Sequence, residues 1–201
     1  MTIWPILLLL LWQAGAAPLA PVVPLPQKQI AAALLPLPLN LREGAGVRGY
    51  DRDLKLITLR ASRNGIICTG LRPDDEEFDV RCYHESLLPV VDRMRELDRQ
   101  GLERNKIYDI VEAEIRSGKL KLPEAPTVGY RMLGPRTAYD ADANTAGPAI
   151  EGWQSIHFPY RTAAAMALPE EGTVPRTVPY VMASGTFWSQ VMIEHDATPQ
   201  K

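Results

Sequence analysis

The sequence predicts an α+β domain with an antiparallel sheet, two amphipathic helices and one disulfide. Its predicted elements run strand, strand, helix, helix and then several strands, an order that favours an antiparallel sheet over a doubly wound one. Of the 201 residues, 46% are hydrophobic and 23% are charged, which is typical of a globular protein. The chain has two cysteines, Cys68 and Cys82, and this even count allows one disulfide between them.

The N-terminal segment predicts export. Residues 6–12 form an apolar run too short to span a bilayer, and Ala14, Gly15 and Ala16 are the small residues that a signal peptidase requires. We therefore expect a signal peptide at 1–16, periplasmic or extracellular localisation, and no membrane attachment after cleavage. Because no Lys or Arg precedes the apolar run, a short buried helix or an uncleaved anchor is the alternative.

A proline-rich lead follows at 17–41. Its six prolines, with Lys28 as the one charged residue, predict an extended, polyproline-like segment. The stretch QIAAALL at 29–35 is the exception and predicts a short helical turn, with partial docking on the domain. The α+β domain is expected over 42–201.

The two cysteines are expected to form a disulfide, since an oxidising compartment favours their pairing. They lie 14 positions apart. Closing a loop of about 15 residues contributes roughly 3 kcal/mol to stability in the chain-entropy treatment. Two free buried thiols are the alternative.

The first predicted strands are 54–60 and 66–70, joined as a hairpin by Asn64 and Gly65, a pair that accepts positive φ. The next stretch, 72–81, predicts a polar loop closed by the disulfide. Its acidic run at 74–77 is interpreted as a solvated loop, with a site for a cation or a basic partner as the alternative.

Two helices are predicted at 86–100 and 102–117. Leu87, Val91, Met94 and Leu97 recur at helical spacing, the pattern repeats from Ile107, and a glycine follows the second helix. Their other faces carry mixed charge. The pattern indicates two helices packed on a sheet, and a partner-binding groove is the sharper alternative.

The remainder is predicted to be β-rich, with strands at 127–133, 154–158, 163–168, 180–183 and 187–194. The last two are expected to form a hairpin with Ser184 and Gly185 at its tip. Charge is sparse here: 125–201 holds 5 basic and 7 acidic residues, against 16 and 17 in 42–124. A binding surface is expected in this charge-poor half.

These motifs together resemble a family of small exported bacterial proteins of unknown function. The resemblance rests on Asn-Gly before Cys68, a second cysteine after an acidic loop, TVGYRMLG, and PYVMASGTFWSQVMI. It covers roughly 54–193 and implies the fold but no catalytic residues. Ile66 and Gln190 depart from the family, which usually has Trp at the first position and commonly His at the second.

Charge excludes one class of partner. The net charge is −2 and the sequence pI is about 6.0, and no basic run stands out. We therefore expect no nucleic-acid partner.

Chemistry-bearing residues are few. His84, His157 and His195 lack metal-site spacing, although Glu85 and Glu194 stand beside two of them, and no serine lies in a G-x-S-x-G elbow. His157 with a carboxylate such as Glu151 remains a candidate for a hydrolase or a metal-assisted enzyme.

The sequence also contains the oxygen-ligand spacing of a calcium loop. Its four candidate ligands are Asp140, Asp142, Asn144 and Glu151, but Thr145 occupies the position that should be Gly. We therefore interpret this stretch as an irregular polar loop and expect no cofactor, with a calcium site as the alternative.

A ligand site is expected at Trp153, His157 and Trp188 in the β-rich half, although aromatic residues in strands are usually core residues. The leading functional hypothesis is a non-catalytic exported module that binds an unknown protein or small molecule. The enzyme based on His157 is the alternative.

Overall fold

The computed structural model describes residues 21–196, and only the backbone of the last two. The signal peptide predicted at 1–16 lies outside this range. The helices are α1 Pro26–Ala33, α2 Leu39–Arg42, α3 Leu88–Arg99, α4 Arg104–Arg116 and α5 Ala163–Met166. The strands are β1 Gly46–Tyr50, β2 Leu56–Arg60, β3 Ile66–Thr69, β4 Glu77–His84, β5 Thr127–Pro135, β6 Tyr139–Asp140, β7 Thr145–Ala146, β8 Glu151–His157, β9 Tyr180–Met182 and β10 Gln190–Asp196.

Eight of these strands form one sheet in the order β2-β1-β3-β4-β5-β8-β10-β9. Every neighbouring pair is antiparallel except β1 and β3, which are parallel. Strands β6 and β7 form a separate two-stranded ribbon. The predicted α+β class with a mostly antiparallel sheet is confirmed.

The predicted hairpin between 54–60 and 66–70 is wrong, because β1 lies between β2 and β3 and pairs with both. Gly65 does adopt a positive φ of 75°. However, Asn64 forms a local turn in which its Oδ1 accepts from the Ile66 N–H at 3.1 Å, while its Nδ2 donates to the Leu41 carbonyl at 3.0 Å. The turn therefore redirects the chain, and the pairing is made with a distant segment.

The polar loop predicted at 72–81 is also wrong in its second half, where β4 begins at Glu77. Phe78, Val80 and Cys82 are fully buried on one face of this strand. The intervening residues include Asp79 and Arg81, whose charges concealed the period of two.

The strand predicted at 163–168 is helix α5 instead. The Thr162 side chain caps it by accepting from the Ala165 N–H at 3.2 Å, and its alanines favour helix. The final pair of strands is confirmed as antiparallel neighbours, but β10 begins at Gln190, so the connection is longer than a tight turn.

The part of the proline-rich lead that is described is folded onto the sheet. It contains α1 and α2, and Ala33 and Leu37 are buried in a cluster with Val47. The side chain of Gln29 pairs with the Tyr50 backbone, accepting at 2.7 Å and donating at 3.0 Å. The predicted helical turn at 29–35 overlaps α1. The extended lead predicted at 17–41 is wrong from Pro26 onward, where the chain forms α1, a turn at 34–37 and α2.

The helices cover opposite faces of the sheet. Helix α1 lies over the face that bears the disulfide between Cys68 and Cys82, which are register partners on β3 and β4. The predicted helices at 86–100 and 102–117 correspond to α3 and α4, which pack on the other face through Tyr83 and Leu87. No helix within residues 21–196 has the length and apolar character needed to cross a membrane.

Candidate binding cleft

A cleft of about 690 Å³ lies between the α3–α4 hairpin and the face of the sheet opposite the disulfide. Its walls come from β1, β4, β5, β8, β9, β10, α3 and α4, so residues distant in sequence meet there. Volumes of this size are typical of sites for small organic molecules. The residues that define it chemically are Asp79, Arg81, Met94, Arg95, Arg131, Trp153, Ser155, Arg176, Tyr180, Trp188, Gln190, Met192 and Glu194.

Strand register aligns several of these side chains in one row across the sheet. Because side chains alternate between faces, residues that pair across strands project from the same face. The row runs through Arg48, Thr69, Arg81, Arg131, Trp153 and Glu194. In the adjacent row, Gly129 lies between Tyr83 and Ser155, and a Cβ there would come within 3.0 Å of both side chains. Because Gly129 has no side chain, Tyr83 and Ser155 can approach each other at the floor of the cleft.

Asp79 neutralises part of the charge in this row. Its carboxylate accepts from Arg131 Nε at 2.8 Å and Nη2 at 3.0 Å, and it also accepts from Arg81. Although burial opposes ionisation, the two guanidinium groups hold the pKa of Asp79 well below its usual range, and the carboxylate in turn raises the pKa of Arg81. Asp79 is thus charged at neutral pH and shared by two cations.

Arg95, on α3, faces this pair from the other wall. Within the described part of the chain its guanidinium makes no hydrogen bond or ion pair, although Asp98 and Asp79 lie in the same cleft. Burial lowers the pKa of Arg95, and the positive charge of Arg81 adds to the effect. An arginine still remains protonated at neutral pH. Arg95 is therefore a cation of the cleft that has no ion-pair partner among the described residues.

The opposite end of the row carries a second ionic group. Glu194 accepts from Arg176 Nε at 2.7 Å and from the Tyr180 hydroxyl. Burial and this carboxylate raise the pKa of Tyr180 to about 12, so its hydroxyl stays protonated and donates. Arg176 also reaches Glu151 at 3.2 Å.

Of the three predicted ligand residues, Trp153 and Trp188 line the cleft, while His157 lies beneath it and is 1% exposed. Its Nε2 lies 3.3 Å from Ser155 Oγ, and its ring centroid is 4.5 Å from that of Trp188. Burial lowers the pKa of His157 to about 3, so the ring is neutral. Its Nδ1 has no partner among the described residues. His157 is therefore a packing residue of the cleft floor.

The predicted calcium ligands lie on and beside the β6–β7 ribbon. Asp140 Oδ1 accepts from the backbone N–H groups of Asp142 and Ala143, both at 2.9 Å, as in an Asx turn. Asp142 bonds Lys28 at 2.7 Å, and Asn144 accepts from the Tyr139 hydroxyl at 2.8 Å. Each oxygen-bearing side chain thus has a protein partner, and Glu151 pairs with Arg176 instead. Calcium binding stays a prediction that this geometry does not strengthen.

The three histidines are not assembled into a site by the described residues. His84 bonds Ser86, and the side chain of His195 lies outside the described range. His157 contacts Ser155 and bonds no carboxylate within that range, because Glu151 lies at the other end of β8. Residues 21–194 show no group of three or more His, Cys, Asp or Glu side chains arranged to hold a metal.

Sequence reasoning missed Asp79, Arg81, Arg95 and Arg131. In the sequence, Arg95 lies on the mixed-charge face of a predicted helix, and Asp79 and Arg81 lie in the predicted polar loop at 72–81. The available signal was the alternation in EFDVRCYH, where charged residues take every second position of an otherwise apolar strand. Such alternation predicts a strand with one charged, covered face.

A second cavity of about 800 Å³ lies beside α5. It is lined largely by apolar residues and includes Phe158, Met166, Leu168 and Val191. Its charged residues, Glu124 and Arg161, form no cluster like the arginines of the first cleft. Because specific small-molecule sites combine apolar walls with convergent polar groups, the first cleft is the stronger candidate.

No family model matches the chain, and neither the curated proteins nor the solved structures include a match. The resemblance to small exported bacterial proteins accordingly stays a prediction.

Proposed function

We propose that this protein is an exported bacterial binding module that holds a small organic molecule in the cleft between its sheet and the α3–α4 hairpin. The observation that carries the proposal is the convergence of Arg95, Arg131 and Trp153 on one cavity of about 690 Å³. A pocket with aromatic walls and a few oriented charges is the usual form of a ligand site.

Binding is favoured over catalysis by the condition of the titratable groups. Asp79 bonds two arginines that hold its pKa well below its usual range, whereas a general acid or base needs a pKa near the working pH. His157 touches Ser155, but its pKa of about 3 makes it a weak base. A Ser–His pair also needs a third group that orients the histidine, and Nδ1 has no such partner in residues 21–194.

Export is supported by two features. The apolar run at 6–12 and the small residues at 14–16 fit a signal peptide, and the paired Cys68 and Cys82 fit an oxidising compartment. Expression of the full chain in a Gram-negative host, followed by fractionation and N-terminal sequencing, tests this. We expect mature protein that begins at Ala17 in the periplasm or medium, and full-length protein retained in the cytoplasm would contradict export.

The cleft is tested with two fluorescent probes of one shape, anilinonaphthalene sulfonate and its uncharged analogue phenylnaphthylamine. Leu133 lines the cleft, so Leu133→Trp should fill it and abolish binding of either probe. Ile193 lies on the opposite face of the sheet and is 38% exposed, so Ile193→Trp adds the same bulk elsewhere and should leave binding unchanged. Binding of neither probe, or equal binding to all three proteins, would overturn the assignment of the site.

A further inference from the structure

We infer that the ligand is a small organic anion, with a carboxylate, phosphate or sulfonate group held by Arg95, Arg81 and Arg131 and an aromatic or apolar body lying along Trp153 and Met192. This inference rests on the proposed cleft and specifies what occupies it. Nothing in the position of these residues along the chain indicates such a site, since three separate elements supply the guanidinium groups.

The local charge is unbalanced. Among the described residues, Asp79 is the one carboxylate bonded to any of the three guanidinium groups of Arg81, Arg95 and Arg131. Asp75 and Asp98 also line the cleft, but among the described residues neither lies within ion-pair distance of these three arginines. Asp75 lies 3.9 Å from Arg72, and Asp98 is exposed. A buried or half-buried cation without a partner is costly, and an oxyanion entering from solvent would relieve that cost.

The arginines are also oriented for such a group. Asp79 uses Nε and Nη2 of both Arg81 and Arg131 and fixes their planes, which leaves Nη1 of each without a partner in residues 21–194. Free N–H groups on fixed guanidinium planes suit carboxylate and phosphate oxygens, which accept two parallel hydrogen bonds. Arg95 supplies a third guanidinium from α3, where no described residue competes for it.

The rest of the wall indicates the body of the ligand. Arg131 stacks over the Trp153 ring at 5.0 Å from its centroid, which extends the flat surface beside the charges. Trp188 and Met192, which are both nearly buried, extend this apolar surface further along the cleft. Ser155 and Gln190 then provide polar atoms at the inner end. A cleft with arginines at one wall and an apolar surface beside them fits an anionic group attached to a flat apolar body better than it fits an inorganic ion.

The two probes used above separate this inference from the cleft itself, because they differ only in the sulfonate. We expect anilinonaphthalene sulfonate to bind at least about tenfold more tightly than phenylnaphthylamine, the scale of one or two charge-assisted hydrogen bonds. Arg95→Met should remove roughly that advantage and leave the affinity for the uncharged probe unchanged. The advantage should also shrink as salt is added.

Two further variants complete the design. Arg116→Met removes an exposed arginine from α4 outside the cleft and should leave both affinities unchanged. Arg95→Lys retains the charge but not the planar guanidinium, so it should bind the sulfonate with an intermediate affinity. The same variant provides the test if the Arg95→Met protein does not fold. Thermal melting of each variant reports folding.

Equal affinities for the two probes, or an Arg95→Met protein that binds the sulfonate as tightly as the parent, would overturn the anionic ligand while the cleft assignment stands. If the Leu133→Trp protein binds both probes as tightly as the parent does, the cleft assignment fails, and the proposal of an anionic ligand fails with it. The two proposals therefore fail by different results.

Discussion

Arg81 and Arg131 lie directly opposite each other on β4 and β5, and one carboxylate, that of Asp79, accepts hydrogen bonds from both. Like charges at opposed positions of an antiparallel pair normally destabilise a sheet. Asp79 precedes Arg81 by two positions, projects from the same face and removes that repulsion. The triad is thus a structural element of the sheet and also the fixed half of the proposed anion site.

Asp79→Asn should destabilise the protein by about 2 kcal/mol, because two covered guanidinium groups would lose their carboxylate. Since the folded pKa of Asp79 lies below its usual value of 3.8, its contribution is present above about pH 4 and is lost as the pH falls further. Urea unfolding between pH 5 and pH 2 measures both effects. Asp74→Asn breaks an exposed pair with Arg72 and should cost less than about 0.5 kcal/mol. Equal losses in the two variants would contradict the role of Asp79.

His157 should make stability depend on pH in a higher window. Its folded pKa of about 3 lies below its usual 6.5, so the unfolded chain binds a proton first and stability falls as the pH drops from 6.5 toward 3. Between pH 6.5 and pH 5 the loss should be about 1–2 kcal/mol, and His157→Gln should remove it. Unfolding free energies of the two proteins at several pH values provide the test. His84→Gln, at a histidine that bonds Ser86 near the surface, is measured beside it as the matched histidine substitution. A His157→Gln slope equal to that of the parent would contradict a folded pKa of His157 that lies below its usual 6.5.

The disulfide should contribute about 3 kcal/mol to stability, because it closes a loop between Cys68 and Cys82 in the unfolded chain. The double variant Cys68→Ala/Cys82→Ala should lose this amount in urea unfolding. A reducing agent should weaken the parent by a similar amount and leave the double variant unaffected. Alkylation of the unfolded, unreduced parent should label no cysteine, and labelling at both positions would disprove the bond.

Arg48 should determine how firmly α3 is held over the cleft. It bonds Asp92 of that helix through two parallel contacts of 2.7 Å from β1. Arg48→Lys keeps the charge but loses the two-point contact, so we expect a loss of about 1 kcal/mol and faster amide exchange in α3. Arg116→Lys, in an exposed pair on α4, should change neither quantity. If amide exchange in α3 is the same in the Arg48→Lys protein as in the parent, the contact between Arg48 and Asp92 is not what holds α3 over the cleft.

The sequence predicted the local elements well. Helices α3 and α4 follow from residues three and four positions apart, and β5, β8 and β9 follow from short apolar runs bounded by Gly and Pro. It did not predict β1, whose GVRGY contains two glycines and a charge yet is mostly buried in the sheet. A segment of this kind becomes a strand because β2 and β3 flank it and supply its hydrogen bonds.

The sequence predicts only some of the residues that line the proposed binding cleft. Trp153 and Trp188 were predicted from their aromatic character and do line the cleft, whereas His157 was predicted beside them and is packed under it. The three arginines of the proposed anion site were out of reach, since Arg81 and Arg131 meet only through the register of β4 and β5. Register is a pairing between distant segments, and shifting it by one residue turns every side chain to the other face.

By itself the sequence determined the α+β class, the two charged helices, the pair of cysteines and the near-neutral charge. Those properties depend on the composition of the chain and on residues that are close together in sequence, so they do not require contacts between distant segments. Only the tertiary structure decided that Arg95 of α3 would share a cleft with Arg81 and Arg131, which are both bonded to Asp79. The reason is that burial and charge pairing arise from contacts between segments, and those contacts exist only once the sheet is assembled.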